Sequence, residues 1–104
     1  MGDNYVKSDI IINLINDFVN KNILEKISVK DILSFRDEYD DLIDNNRNIL
    51  ISEIGEYKYE LLDDIYMILE MYEEDENIRK IEKYCIDEHQ LMKKISEKFE
   101  CLRK

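Results

Sequence analysis

Three observations predict an all-α fold, a compact four-helix bundle. The 104 residues include no Pro and only Gly2 and Gly55, too few for the tight turns of strand-and-turn proteins. Apolar residues recur three and four apart through most of the chain, which is the spacing of one helix face. The amphipathic stretches are short, so each must bury its apolar face against another. Four of them, packed together as a single domain over residues 1–104, do this most simply.

The first predicted helix starts at Ser8, an N-cap residue type, and presents Ile11, Leu14, Ile15, Phe18 and Val19. It ends in Asn20-Lys21-Asn22. The second starts at Ser28, with Asp31 three residues on in a near capping-box arrangement. Ile32, Phe35, Tyr39, Leu42 and Ile43 line its inner face, and Asp44-Asn45-Asn46 closes it. The third runs from about Glu53 to Tyr72 and buries Ile54, Leu61, Ile65, Ile68, Leu69 and Tyr72. Gly55 weakens its first turn, and the pattern leaves open whether Ile49 to Ile51 belong to it. The fourth starts at Asp87, with Gln90 again at cap-box spacing, and presents Leu91, Ile95, Phe99 and Leu102. Between the last two lies 73–86, readable as a loop or a short extra helix.

Composition narrows the function classes. The hydrophobic fraction of 44% is ordinary, whereas the charged fraction of 38% exceeds the usual ~25%. Regular apolar spacing argues against disorder. No apolar run approaches the ~20 residues of a membrane span, and Met1 to Ser8 lacks the basic-then-apolar start of a signal peptide. A cytoplasmic protein without a membrane partner is expected, with Cys85 and Cys101 as free structural thiols. No exposed apolar stripe demands a dimer, so a monomer is expected.

The net charge is −10 and is concentrated. Residues 53–76 hold ten acids (Glu53, Glu56, Glu60, Asp63, Asp64, Glu70, Glu73, Glu74, Asp75 and Glu76) against Lys58 alone, nine of the ten net negative charges. Glu56, Glu60, Asp63, Met67, Glu70 and Glu74 fall on one helical stripe, opposite the buried face. Like charges so placed cost a few tenths of a kcal/mol per pair, roughly, whereas a face that is merely solvated mixes its signs. Such a surface repels nucleic acid and anionic membrane and attracts basic partners. A second acidic group, Asp37, Glu38, Asp40 and Asp41, closes the second helix against its dipole.

A helical di-iron site needs Glu-x-x-His, but Ile86 stands three residues before His89, the one histidine. All-helical nucleotide pyrophosphatases pair Glu-x-x-Glu with a Glu-x-x-Asp further along. Glu53/Glu56 and Glu60/Asp63 have the letters with too short a gap. There is no Gly-rich phosphate loop, and His89 is expected at the surface. No enzyme activity, metal or cofactor is expected. Most tyrosines fit the core by spacing, while Tyr57, Tyr59 and Tyr72 are candidate interface anchors.

Three stretches carry a resemblance to one known family. Leu14-Ile15-Asn16-Asp17-Phe18 with Ile27-Ser28-Val29-Lys30-Asp31-Ile32 is similar to that family's opening helix and second-helix start. Glu60-Leu61-Leu62 through Leu69-Glu70-Met71-Tyr72-Glu73-Glu74-Asp75 resembles the end of its third helix, with Glu74 where the family has proline. Ile86-Asp87-Glu88 and Leu91 open a similar last helix. Together these stretches resemble the colicin D immunity protein family, including related immunity proteins of contact-dependent growth inhibition systems, and the resemblance implies a small acidic four-helix bundle that blocks a tRNA-cleaving toxin domain as a 1:1 complex. By position, its toxin-contacting acids fall on Glu70, Glu73 and Asp75. Glu60, Asp63, Glu74 and Glu76 would steer and extend that contact with the basic C-terminal nuclease domain. Two rival classes stay open. One is another acidic protein-binding inhibitor: an antitoxin, a phage anti-defence protein or a nucleic-acid mimic. The other is a small helical enzyme holding magnesium on Glu53, Glu56, Glu60 and Asp63.

Overall fold

The computed structural model describes residues 6–24 and 28–104, so Tyr5 and Ile27 lie outside the described residues. The fold is all-α, with four helices: α1 (Lys7–Leu24), α2 (Val29–Met71), α3 (Glu76–Ile81) and α4 (Glu88–Arg103). A straight helix as long as α2 would extend about 64 Å, yet the described residues span 50 × 27 × 24 Å. The difference comes from two breaks in α2, at Asn46 (φ −130°, ψ 19°) and Gly55 (φ 88°, ψ 165°). They divide it into a first arm (29–45), a crosspiece (47–54) and a second arm (56–71) that returns antiparallel to the first. The four long rods of the bundle are therefore α1, the two arms of α2, and α4.

Both breaks have local causes. The Asn46 side-chain amide donates to the Leu42 carbonyl at 2.9 Å, giving the backbone an alternative to the helical ladder. Gly55 takes a conformation essentially reserved for glycine. The second predicted helix accordingly ends where Asp44-Asn45-Asn46 placed its end. Ile49 to Ile51 belong to the crosspiece, and the third helix begins after Gly55 rather than at Glu53.

Local capping fixes two other starts. Ser28 Oγ accepts from the Asp31 amide at 3.1 Å. Asp87 and Gln90 form a complete capping box, with bonds of 2.9 and 3.1 Å. The start of α1 differs from expectation. Lys7 already lies in the helix, and Ser8 is buried rather than capping. Its cap comes from the crosspiece, where the Glu53 carboxylate accepts from the Ser8 amide at 2.7 Å and the Lys7 amide at 3.4 Å. The sequence signal cannot show this, because the donor and acceptor are 45 residues apart.

The core joins all four rods. Ile11, Ile15, Ile32, Tyr39, Leu62, Ile65, Leu69, Leu91 and Ile95 are fully buried. Phe18 stacks on Phe35 with ring centroids 4.0 Å apart. The Tyr39 hydroxyl donates to the Leu62 carbonyl, pinning one arm of α2 to the other inside the core. Ion pairs tie the rods at the surface: Lys21 to Asp31 at 3.2 Å, and Lys98 to Asp64 at 3.1 Å. Lys21 first, and then Ser28, hold the Asp31 carboxyl below its usual range.

The segment 73–86 is both loop and helix. Asp75 caps the single short helix α3, and the base of the excursion is closed by two backbone bonds. The Glu73 amide donates to the Ile86 carbonyl at 3.1 Å, and the Ile86 amide donates to the Met71 carbonyl at 2.9 Å. No residue of α3 is buried. Among the described residues, no helix is long and apolar enough to cross a membrane.

Candidate functional site

The second arm carries the acidic stripe. Its inner side buries Tyr59, Leu61, Leu62, Ile65, Ile68 and Leu69, so its orientation in the bundle is fixed. Glu56, Glu60, Asp63, Met67 and Glu70 are exposed on this arm, whereas Glu74, also exposed, lies past the end of α2 and so off the helical stripe on which its spacing placed it. From Glu56 to Glu70 the row is about 21 Å long. Among the described residues, Glu56, Glu60, Asp63 and Glu74 have no ion-pair partner.

The ten acids of 53–76 have distinct placements. Glu53 caps α1 and Asp64 pairs with Lys98, so these two serve the fold. Asp75 accepts from the Asn77 amide at 2.8 Å, and Glu73 accepts from the Asp75 amide at 3.1 Å. The Glu73 carbonyl also accepts from Arg79. Glu76 lies 3.7 Å from Lys80 in a fully solvated pair. Glu70 acts electrostatically on Asp40 of the first arm. Thus two of the three acids singled out by the family resemblance, Glu73 and Asp75, accept hydrogen bonds within the chain. Those contacts leave acceptor lone pairs free while restricting the side chains.

The members of the second acidic group have different surroundings. Glu38 turns toward α1, lining a groove with Ile10, Leu14 and Asp17, while Asp41 accepts from Asn45 at 2.9 Å. Asp40 is half-buried and feels the Glu70 carboxyl of the second arm. The antiparallel return also recruits Asp44. Asp44, Asp63, Arg47, Tyr59 and Tyr66 line a recess of about 300 Å³ with Ile43 at its floor. Arg47 sits over the Tyr59 ring, 5.8 Å from its centroid. Asp44 first and Asp40 next push the Tyr66 phenol above its ordinary pKa, with burial, Glu70 and Asp63 adding to the rise. Four carboxylates from two arms therefore act on one phenol, and two of them, Asp44 and Asp63, share its recess. Sequence spacing along a single helix missed this; pairing the arms about the Asn46 and Gly55 breaks would have indicated it.

Burial, followed by the Glu70 carboxyl, pushes Asp40 up to about 7, with Asp44 adding and Arg36 opposing. Tyr72 is pushed up to about 12, chiefly by burial and then by Glu88, whose Oε1 accepts from its hydroxyl at 3.2 Å.

The aromatic anchors need correcting. Tyr59 and Tyr72 are buried core residues and cannot be exposed contacts, whereas Tyr57 is 70% exposed. Cys101 is exposed and Cys85 half-buried, so neither is a core residue. His89 is exposed. For the magnesium reading, Glu53 faces the start of α1 and not Glu56, Glu60 and Asp63. Among the described residues, no group of three or more His, Cys, Asp and Glu side chains is placed to hold a metal ion.

No family model, curated protein or solved structure matches the chain.

Proposed function

We propose that this protein is an immunity protein, which binds a nuclease toxin domain of the tRNase or RNase kind and blocks its basic active-site cleft. The observation that carries the reading is the exposed carboxylate row on the second arm, continued by Glu73 to Glu76. An RNase cleft is built to hold phosphates. A row of carboxylates on a rigid helix presents comparable negative charge while offering no bond to cleave. Glu70, Glu73 and Asp75 pair with the toxin's cationic groups; Glu60, Asp63, Glu74 and Glu76 steer the encounter and widen the contact. Internal hydrogen bonds at Glu73 and Asp75 favour this role, because side chains already restricted lose less entropy on binding. Protection against a lethal enzyme calls for affinity on the order of nanomolar or better.

The test is capture from a lysate of the source organism, mass-spectrometric identification, and an RNA-cleavage assay with the captured domain. The wild-type chain is expected to retain a basic nuclease domain and stop its cleavage. The combined variant Glu70→Lys, Glu73→Lys, Asp75→Lys is expected to keep its helical circular dichroism and lose that protection. Full protection by the variant removes these three residues from the contact. Capture of a DNA-binding or defence protein moves the chain to the other acidic inhibitors, and capture of no basic partner at low salt overturns the reading.

A further inference from the structure

The excursion 73–86 carries an exposed apolar ridge. Ile78 and Ile81 lie three apart on one side of α3, and Tyr84 follows just past its end. These side chains are 40%, 77% and 78% exposed. Arg79, Lys80 and Lys83 flank them against Glu82 alone, so residues 77–84 are net basic in a chain of charge −10. Lys80 is engaged by a solvated pair with Glu76 at 3.7 Å, and Arg79 is turned back onto the Glu73 carbonyl. A basic ridge is mismatched to the cationic cleft that the acidic row fits. It calls for a different occupant.

The chain holds a surface of the opposite kind. Between α1 and the first arm of α2 runs a groove of about 450 Å³ lined by Ile10, Asn13, Leu14, Asp17, Glu38 and Leu42. It continues past Leu14, Asp17 and Glu38 to Phe18 and Phe35. Ile10, Leu14 and Leu42 are half-buried and make an apolar floor, while Asp17 and Glu38 are exposed at the rim. Among the described residues neither acid has an ion-pair partner, whereas Lys21 at the far end is taken by Asp31 at 3.2 Å. From Ile10 to Phe18 the groove is about 12 Å long, and the six residues of α3 rise about 9 Å. We propose that this groove receives the Ile78, Ile81 and Tyr84 ridge of a second copy of the chain, with Lys80 and Lys83 set against Asp17 and Glu38. Within one chain α3 packs against no other helix among the described residues, so a second copy supplies the contact. Ridge and groove are different patches, which makes the contact heterologous. Apolar burial drives it and the charges set its register. Two elements this short bury less than a standard interface, so the association is weak, on the order of micromolar or weaker. It departs from the monomer expected from the sequence, and it uses none of Glu70, Glu73 and Asp75, so it stands apart from the nuclease reading.

Sedimentation velocity of the full chain, from micromolar to near-millimolar concentration, tests it. The mean mass is expected to rise above that of one chain as concentration rises, and a single-chain mass throughout overturns the proposal. Ile81→Asp with Tyr84→Asp should hold the chain monomeric with unchanged helical circular dichroism, since both side chains are exposed. Charge reversal then identifies the two faces. Lys80→Glu with Lys83→Glu, and separately Asp17→Lys with Glu38→Lys, should each weaken self-association about tenfold. Mixing the two variants should restore it, because the reversed ridge then meets the reversed groove and the native ridge meets the native groove. Association that survives either reversal, or a loss that mixing does not restore, places the contact on other surfaces and overturns the proposal.

Discussion

The second arm of α2 and helix α4 have nearly the same inner face and opposite outer faces. Both bury a dense row of Leu and Ile: Leu61, Leu62, Ile65, Ile68 and Leu69 on one, Leu91, Ile95 and Leu102 on the other. On its outer side α4 mixes Lys93, Lys94, Lys98 and Arg103 with Glu97 and Glu100, and Arg103 lies 3.5 Å from Glu100. The outer stripe of the second arm has carboxylates and Met67, with no base. A helix in this bundle evidently does not need a single-signed face to pack. Packing does not require the one-signed face, and the proposed basic partner would account for it.

The comparison makes graded predictions. The largest effect should come from the shared inner faces. Leu62→Ala and Ile95→Ala each empty a fully buried site and should each cost about 2–5 kcal/mol in urea unfolding. A cost at one and none at the other would break the equivalence of the two cores. Next comes the break that turns the second arm back on the first. Gly55→Ala meets no steric neighbour but forces an L-residue to φ 88°, so it should destabilise by about 1–3 kcal/mol. Full stability in this variant would mean that the turn relaxes without loss. Smaller still are the caps. Asp87→Ala removes the α4 box and should cost about 1 kcal/mol by the same measurement. The outer faces should matter least to stability and most to binding. Glu60→Lys with Asp63→Lys should leave unfolding within about 0.5 kcal/mol yet slow partner association, whereas Lys93→Glu with Glu97→Lys on α4 should alter neither. Equal binding losses at the two faces would erase the distinction between them.

What could be read from the sequence was what is local. Ser28 and Asp87 cap as their spacing indicates, because the acceptor and the amide it satisfies lie within one turn. The buried faces of α1, the first arm and α4 follow their periodicity. The second arm buries more than one stripe, since it contacts rods on more than one side. Leu62 and Tyr59 fell outside the expected face for that reason. What could not be read depends on register between distant segments: Glu53 on the start of α1, Lys98 on Asp64, and Glu70 acting on Asp40. The acidic row was visible by phase alone, but its joint action with Asp40 and Asp44 on Tyr66 required the fold-back.

The two backbone bonds that close 73–86 at its base also divide the proposed contact set. Glu60, Asp63 and Glu70 belong to a rod that the core depends on, whereas Glu73 to Glu76 sit on a stapled excursion that gives the core only its basal residue Ile86. One half of the proposed recognition surface is constrained by packing; the other could be exchanged as a cassette. Swapping the tip of the excursion between Glu74 and Cys85 would then retune partner choice while leaving the rest of the bundle in place.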